Sequence, residues 1–252
     1  MGWQPSYQSE AKIYARHLLE TKPDGKVAVL YQNDDYGKDY LQGFEDGLGE
    51  KAKAMIVARA SYEVTDATID SQMVTLKSSG ADVFFNVTTP KFAAQAMKKA
   101  DELGWKPLHY LNSVSNSIAS VMRPAGLAAG TGIISAFYIS DPIDPTFQKT
   151  PAYKTWSDWM DKYHAGGDKT EGFNVYGYTV AQTLVQVLQQ AGDELTRANV
   201  MKQAASLDLS LPTLIDGVNI KTGPDDFYPI ERQELRRFNG AIWEGGGKVY
   251  GD

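Results

Sequence analysis

The segment Lys26-Val27-Ala28-Val29-Leu30-Tyr31 is a short, almost unbroken apolar run, and Gln32-Asn33-Asp34-Asp35-Tyr36-Gly37 follows it. Such a run without alternation is typical of a strand buried on both faces, as in a parallel sheet. Residues 7–20 before it and about 36–49 after it carry apolar side chains at helical spacing. The segment therefore predicts a buried strand flanked by two amphipathic helices.

The same alternation continues along the first half of the chain. Further strand-like runs lie at about 54–62, 82–87, 108–112 and 132–139, and helical stretches lie at about 67–79, 90–103 and 115–124. Alternating short apolar strands and amphipathic helices indicate the α/β class, with a parallel sheet and helices on both faces.

The pattern changes near Tyr138, where the proline-bounded connector 141–145 leads into helices without strands. Three helices are predicted, at 151–164, 172–191 and about 196–206. Their predicted apolar faces carry Tyr153, Trp156, Met160 and Tyr163 in the first, and Tyr176, Val180, Leu184, Val187 and Leu188 in the second.

Extended structure returns near the end of the chain. Leu235–Phe238 and Ala241–Val249 predict a hairpin that turns at Asn239-Gly240. We therefore predict an α/β lobe of residues 1–140 with 226–252, and a partial, mainly helical lobe of residues 141–225.

Composition excludes several function classes. Among 252 residues there is no cysteine, which excludes thiol catalysis, zinc–thiolate sites and disulfides. The formal charge of -6 argues against nucleic acid or an anionic membrane as a partner. The first residues have neither the basic region nor the apolar core of a signal peptide.

Hydrogen-bonding side chains follow several of the predicted strands. In a doubly wound sheet, ligands bind at the carboxyl ends of the strands. The side chains expected there include Tyr36, Asn86, Thr88, Thr89, Ser113 and Ser115. Any one of them could simply cap a helix, but together on one edge they predict a site for a small polar ligand.

Catalytic, metal and cofactor motifs are incomplete. None of His17, His109 and His164 follows a predicted strand beside a serine and a carboxylate, as a nucleophilic triad requires. Asp34-Asp35 has no phospho-acceptor aspartate after the third strand, so it does not form a response-regulator site. Gly245-Gly246-Gly247-Lys248 lacks the hydroxyl residue and the helix of a phosphate loop. No cofactor and no metal are expected.

Several segments, in order, resemble the periplasmic substrate-binding proteins of branched-chain amino-acid ABC transporters. They are residues 26–37, 80–87 with 93–100, 126–134, 177–184, 226–230 and the final hairpin. The resemblance implies a type I periplasmic-binding fold, with ligand held between two lobes. It also implies a periplasmic location and a membrane permease as partner. Family members have a preceding segment that builds most of the first lobe, so we expect this chain to lack it, with Met1 internal to a longer protein.

The resemblance also assigns site residues. Tyr36 matches a family tyrosine that lines the cleft. Thr88 and Val114 lie near positions where amino-acid-binding members place an aromatic residue and a glutamate that pairs with the ligand ammonium. Phe173 and Tyr176 are the aromatic residues expected to face the cleft from the long helix of the other lobe. Since neither the aromatic residue nor the glutamate is kept, an uncharged or carboxylate ligand with an apolar or aromatic body fits better than an α-amino acid.

Two other classes remain as alternatives. A small-molecule sensor or regulator can use the same fold, but this sequence shows no helix-turn-helix or basic cluster. A hydrolase or dehydrogenase would need a nucleophile elbow or a dinucleotide loop, and neither motif is present. Two expectations follow: free leucine binds weakly or not at all, and the apolar helix faces beyond residue 150 lead the chain to self-associate.

Overall fold

The apolar segment that begins at Lys26 forms β1 (Val27–Gln32), the second strand from one edge of a sheet. The computed structural model describes residues 2–251, so the first and last residues of the predicted lobes lie outside it. Val27 and Val29 pack into one hydrophobic cluster, and Ala28 and Leu30 pack into another. All four side chains are buried, which is why the run does not alternate with polar residues.

Helices and strands alternate through the α/β half of the chain. In order they are α1 (Tyr7–Thr21), β1, α2 (Asp35–Leu48), α3 (Ala52–Met55), β2 (Ile56–Tyr62), α4 (Asp70–Ser78), β3 (Val83–Val87), α5 (Pro90–Glu102), β4 (Leu108–Leu111), α6 (Arg123–Ala125), α7 (Leu127–Gly130) and β5 (Ile134–Phe137). The predicted helix at 115–124 is instead a 3-10 turn (Ser113–Ser115), a π-helical turn (Ile118–Met122) and α6. The Ser117 side chain caps the start of the π-helical turn by accepting a hydrogen bond from the Ser120 amide.

The sheet of this half is mainly parallel, as predicted. β2, β1, β3, β4 and β5 lie side by side, and each neighbouring pair is parallel. β8 (Gln233–Phe238) continues the sheet beyond β5, and β9 (Trp243–Glu244) pairs antiparallel with β8. Phe238 lies opposite Trp243, so the hairpin predicted at Asn239-Gly240 is present. Contacts group Tyr7–Ala136 with Leu235–Lys248 into one compact unit, which we call the α/β unit.

The second compact unit, which we call the helical unit, contains Phe137–Glu234 and the described residues at both chain ends. Its elements are α8 (Pro151–Tyr163), α9 (Gly172–Ala191), α10 (Arg197–Ala204), β6 (Asp208–Leu209), β7 (Ile220–Lys221) and β10 (Val249–Tyr250). Within it, β6 and β7 form an antiparallel two-stranded sheet. Thr196 caps α10 by accepting a hydrogen bond from the Asn199 amide, as its position predicts.

The boundaries of the two units differ from the predicted lobes. The chain passes from the α/β unit to the helical unit at Ala136, close to the predicted residue 140, but residues 226–234 group with the helical unit. The cause is local hydrogen bonding: the Lys221 amide donates to the Pro229 carbonyl at 2.9 Å, and the Gly223 amide donates to the Asp226 carbonyl at 2.9 Å. Residues after Lys248 also group with the helical unit, since β10 pairs with Gln233 and Glu234.

The face that α9 buries only partly overlaps its predicted apolar face. The side chains it buries are those of Val175, Thr179, Thr183, Val187 and Ala191. Leu184 and Leu188, which belong to the predicted apolar face, are 53% and 41% exposed. The two threonines can be buried because each hydroxyl donates to a carbonyl one turn earlier on the helix.

Two residues of the predicted apolar face of α8 are buried within the helical unit. Trp156 and Met160 are buried and pack with Val175 of α9, whereas Tyr163 is 63% exposed.

No helix among residues 2–251 is both long and apolar enough to cross a membrane.

Candidate functional site

The carboxyl ends of β1, β3 and β4 bring the predicted polar residues of the α/β unit to one edge of the sheet. The three strands are parallel and adjacent, so their ends point the same way. Tyr36 begins the helix after β1, Thr88 and Thr89 follow β3, and the 3-10 turn Ser113–Ser115 follows β4. We call this group the strand-end cluster.

The main-chain carbonyl of Thr88 is the centre of the strand-end cluster. It accepts hydrogen bonds from the Tyr36 hydroxyl at 3.2 Å, the Asn112 side-chain amide at 2.8 Å and the Ser115 hydroxyl at 2.5 Å. These donors come from α2 and from the segment after β4. One carbonyl therefore connects three segments that are far apart in the sequence.

A buried relay of hydrogen bonds begins at the side chain of Thr88. The Thr88 hydroxyl donates to the Asn86 side-chain oxygen at 2.7 Å, so the Asn86 amide nitrogen faces Nε2 of His109 at 3.2 Å. All three side chains are buried, and burial lowers the pKa of His109 to about 3. His109 is therefore neutral near pH 7, and its Nε2 accepts the bond from Asn86. The relay commits the side chains of Asn86 and Thr88 to partners within the protein.

A second polar group joins the ends of β1, β2 and β3. The Gln32 side-chain oxygen accepts hydrogen bonds from the Tyr62 hydroxyl at 3.0 Å and from the Thr89 hydroxyl at 3.2 Å. The Gln32 amide donates to Asp34, whose other carboxylate oxygen accepts from the Gly37 amide and caps α2. Sequence reasoning found Thr89 but did not name Gln32 and Tyr62, the last residues of β1 and β2, as site residues.

Tyr36 lies within a group of tyrosine rings. Its ring centre is 5.0 Å from that of Tyr7 and 5.4 Å from that of Tyr40. Burial raises the pKa of Tyr36 well above its ordinary value, so the hydroxyl remains protonated and can donate. Tyr36, Thr88, Ser113 and Ser115 thus lie at one edge of the sheet, as expected, and that this edge faces a ligand cleft stays a prediction.

Glu10 on α1 also reaches the cluster. Its two carboxylate oxygens accept hydrogen bonds from the amide and the hydroxyl of Ser113, at 2.7 and 2.6 Å. Val114, the next residue in the turn, is half-buried. Sequence reasoning missed Glu10, although it lies one helical turn before Tyr14 on the buried side of α1, where an acidic residue is unusual.

Phe173 and Tyr176 lie at the start of α9 in the helical unit. Phe173 is 50% exposed, and Tyr176 packs edge-on against Trp3 with 5.3 Å between ring centres. The Trp3 indole donates to the Thr183 hydroxyl at 2.9 Å. These contacts fix Tyr176 within its own unit and leave the Phe173 ring accessible.

The remaining histidines have ordinary partners. Nδ1 of His17 lies 2.6 Å from the Tyr110 hydroxyl, and His164 ends α8, where its amide bonds to the Met160 carbonyl. Within residues 2–251, no three or more histidine, aspartate or glutamate side chains are grouped so that they could hold a metal ion. The strand-end cluster is thus a set of hydroxyl, amide and tyrosine groups, suited to binding through hydrogen bonds.

Comparisons with known proteins agree with this architecture. A sequence profile of the periplasmic binding protein family matches residues 1–228. Leu/Ile/Val-binding protein homolog 8 of Brucella abortus (strain 2308) is 22% identical over 237 residues, covering 93% of this chain and 56% of that protein. A branched chain amino acid ABC transporter from Thermus thermophilus, solved with bound valine, superposes with a TM-score of 0.83 at 15% identity, covering 99% of this chain and 67% of that one. A solute binding protein from R. palustris in complex with benzoate superposes with a TM-score of 0.77 at 15% identity, covering 99% and 66%.

The structural matches establish the fold, a type I periplasmic-binding architecture with a mostly parallel sheet. The chain spans 56% of the length of the curated relative from Brucella. The profile covers most of the chain and describes proteins that bind substrates rather than transform them. This chain therefore belongs to the periplasmic binding protein family.

Proposed function

We propose that this protein is the solute-binding component of an ABC-type uptake system. Its ligand would be a small carboxylate with an apolar or aromatic body, or a related amino acid. The family membership supports a binding role, a periplasmic location and a membrane permease as partner. The ligand would lie against the strand-end cluster, and the α/β unit would correspond to the C-terminal-type lobe and the helical unit to part of the N-terminal-type lobe.

The proposed ligand preference rests on the two carboxylates at this edge, which are already hydrogen-bonded within the protein. Glu10 is bound to Ser113, and Asp34 is bound to Gln32 and the start of α2. Val114 stands where the family resemblance places the glutamate that pairs with a ligand ammonium. A ligand ammonium would therefore lack a carboxylate partner at this edge, which favours a ligand without an ammonium group. The benzoate complex of the R. palustris protein is consistent with this ligand class.

We expect benzoate or octanoate to bind this chain more tightly than L-leucine or L-valine. Loss of one charge-assisted hydrogen bond to the ammonium costs about 1.5–3 kcal/mol, which is about a 10- to 150-fold change in affinity. Isothermal titration calorimetry with these four compounds measures the difference. The Val114→Glu variant, which supplies a carboxylate, should raise leucine affinity and lower benzoate affinity. Micromolar leucine affinity in the unmodified chain would contradict the proposed ligand class.

We also propose that a second copy of the chain covers the exposed apolar face of α9. Leu184, Val185 and Leu188 are 53%, 52% and 41% exposed, and monomers seldom leave a large contiguous apolar patch uncovered. Light scattering should give a mass above that of the monomer, and Leu184→Glu with Leu188→Glu should reduce it. Gln190→Glu, a change at an exposed residue outside this face of the same helix, is the control. A monomer that binds no hydrophobic dye would refute self-association.

A further inference from the structure

Glu10 is buried on the side of α1 that packs against the sheet. Only 1% of its surface is exposed, and its helix neighbours Ala11 and Tyr14 are fully buried. A carboxyl group in such a place is costly unless it is hydrogen-bonded, and an apolar residue would pack there without that cost. The presence of a carboxyl group therefore calls for an explanation other than packing.

The hydrogen bonds of Glu10 converge on one turn of the strand-end cluster. Both carboxylate oxygens accept from Ser113, which lies 103 residues further along the chain. The Tyr14 hydroxyl, 2.9 Å from the same carboxylate, also lies 2.8 Å from the Leu111 carbonyl at the end of β4. Glu10 thus connects α1 with the first residue of the turn, and Tyr14 connects α1 with the last residue of β4.

The opposite end of the same turn is held by the Thr88 carbonyl. The Ser115 hydroxyl donates to it, and so does the side chain of Asn112, the residue before the turn. A three-residue 3-10 turn has few internal hydrogen bonds, so its conformation depends on outside partners. Val114 therefore lies between two anchored residues, one held by Glu10 and the other by the Thr88 carbonyl.

We propose that Glu10 is the positioning residue of the ligand site: without touching the ligand, it holds the Ser113–Ser115 turn in the conformation that presents this turn to the ligand. The proposal rests on the proposed function, since it assumes that this edge binds the solute. Binding groups must be held close to their productive geometry by surrounding hydrogen bonds. Loss of the carboxyl group should therefore weaken binding more than it weakens the fold.

The protonation state of Glu10 gives a readout that a packing role would not. Burial raises the pKa of Glu10, while hydrogen bonds from Ser113 and Tyr14 act in the opposite direction. The other titratable groups that act electrostatically with it are Tyr36 and Tyr40 on α2. Because the Ser113 amide bonds directly to the carboxylate, its proton resonance should follow the titration of Glu10.

The test compares Glu10→Ala, Glu10→Gln and the control Glu20→Ala in the full chain. Glu20 lies on the same helix but is exposed, and it pairs with Arg16 and Lys248. Amide hydrogen exchange of Ser113 and Val114, followed by NMR, reports on the turn. Calorimetry with benzoate, octanoate and L-leucine reports on binding.

In Glu10→Ala, we expect exchange at Ser113 and Val114 to accelerate and the affinity for the tightest of the three probes to fall, each by about tenfold or more. Amides of β3 should keep their protection. Glu10→Gln, which retains an acceptor for the Ser113 amide, should recover most of the loss but abolish the pH titration of the Ser113 resonance. Glu20→Ala should match the unmodified chain.

The outcomes separate the two proposals. If the unmodified chain binds none of the probes, the proposed function fails, and the exchange data still decide whether Glu10 holds the turn. If Glu10→Ala keeps normal exchange and affinity, or loses protection equally in β3, Glu10 is not a positioning residue. If Glu10→Ala does not fold, a Ser113 resonance that titrates identically in the unmodified chain and Glu10→Gln overturns the proposal.

Discussion

Acidification from pH 7 to pH 4 should lower the free energy of unfolding by about 3 kcal/mol more in the unmodified chain than in a His109→Gln variant. The cause is the buried imidazole, whose pKa burial lowers to about 3 from the ordinary value of 6.5. Below pH 6.5 the unfolded chain takes up a proton at His109 and the folded chain does not. The stabilising contribution is thus present above pH 6.5 and is lost as the pH falls toward 3.

The surroundings of His109 explain why protonation is unfavourable. The ring lies 4.7 Å from the ring of Phe84, and the nitrogen that would gain a proton already faces the Asn86 amide donor. Glutamine at this position keeps an acceptor for Asn86 and carries no charge at any pH. Carboxylates contribute equally to both proteins, so the difference between their pH profiles isolates His109.

Urea unfolding at pH 7, 6, 5 and 4 measures the predicted difference. His164→Gln, the same substitution at an exposed histidine, is the matched control. Parallel profiles for the unmodified chain and His109→Gln would show that burial does not disfavour the charged imidazole.

The grouping of the strand-end cluster could be predicted because it depends on chain direction alone. An apolar run such as Val27–Leu30 indicates a strand covered on both faces, and parallel strands place whatever follows them at one edge. This reasoning brought Tyr36, Thr88 and Ser115 together without knowledge of any contact. It required only the order of strands and helices, which local periodicity contains.

The partners of these residues could not be predicted in the same way. The bond from Ser113 to Glu10 joins residues 103 positions apart, and that from Tyr62 to Gln32 joins residues 30 apart. Such pairs depend on how a helix lies across the sheet and on the register of neighbouring strands. The periodicity of a single segment contains neither the helix orientation nor the strand register, so Glu10 was not predicted as a site residue.

The residues that α9 buries could not be predicted, for a different reason. Counting apolar residues favours the face with Leu184 and Leu188, whereas the helix buries Thr179 and Thr183. A threonine whose hydroxyl bonds to its own helix adds little polarity to a buried face. Thr179 is also 2.7 Å from the hydroxyl of Thr213, which satisfies it further. Hydrophobicity alone does not show these bonds.

Helices α1 and α2 pack closely, so adding a methyl group at their contact should lower the free energy of unfolding. A methyl group added at Gly43 would lie 2.4 Å from the main-chain oxygen of Gln8 and 2.5 Å from its Cα. One turn later, a methyl group at Gly47 would lie 2.6 Å from the Cβ of Ala15. Main-chain atoms cannot rotate away as a flexible side chain can, so the helices would have to separate.

We expect Gly43→Ala to lower the free energy of unfolding by about 3 kcal/mol, because overpacking a core contact outweighs the gain of about 1 kcal/mol in helix propensity. Gly177→Ala on α9 is the matched control: it makes the same substitution inside a helix where nothing lies within 4 Å of the added methyl group. There the propensity term acts alone, so stability should rise by up to about 1 kcal/mol. Urea unfolding followed by circular dichroism measures both variants. If both alanines shift stability in the same direction, the contact between α1 and α2 is not the reason that residue 43 is glycine.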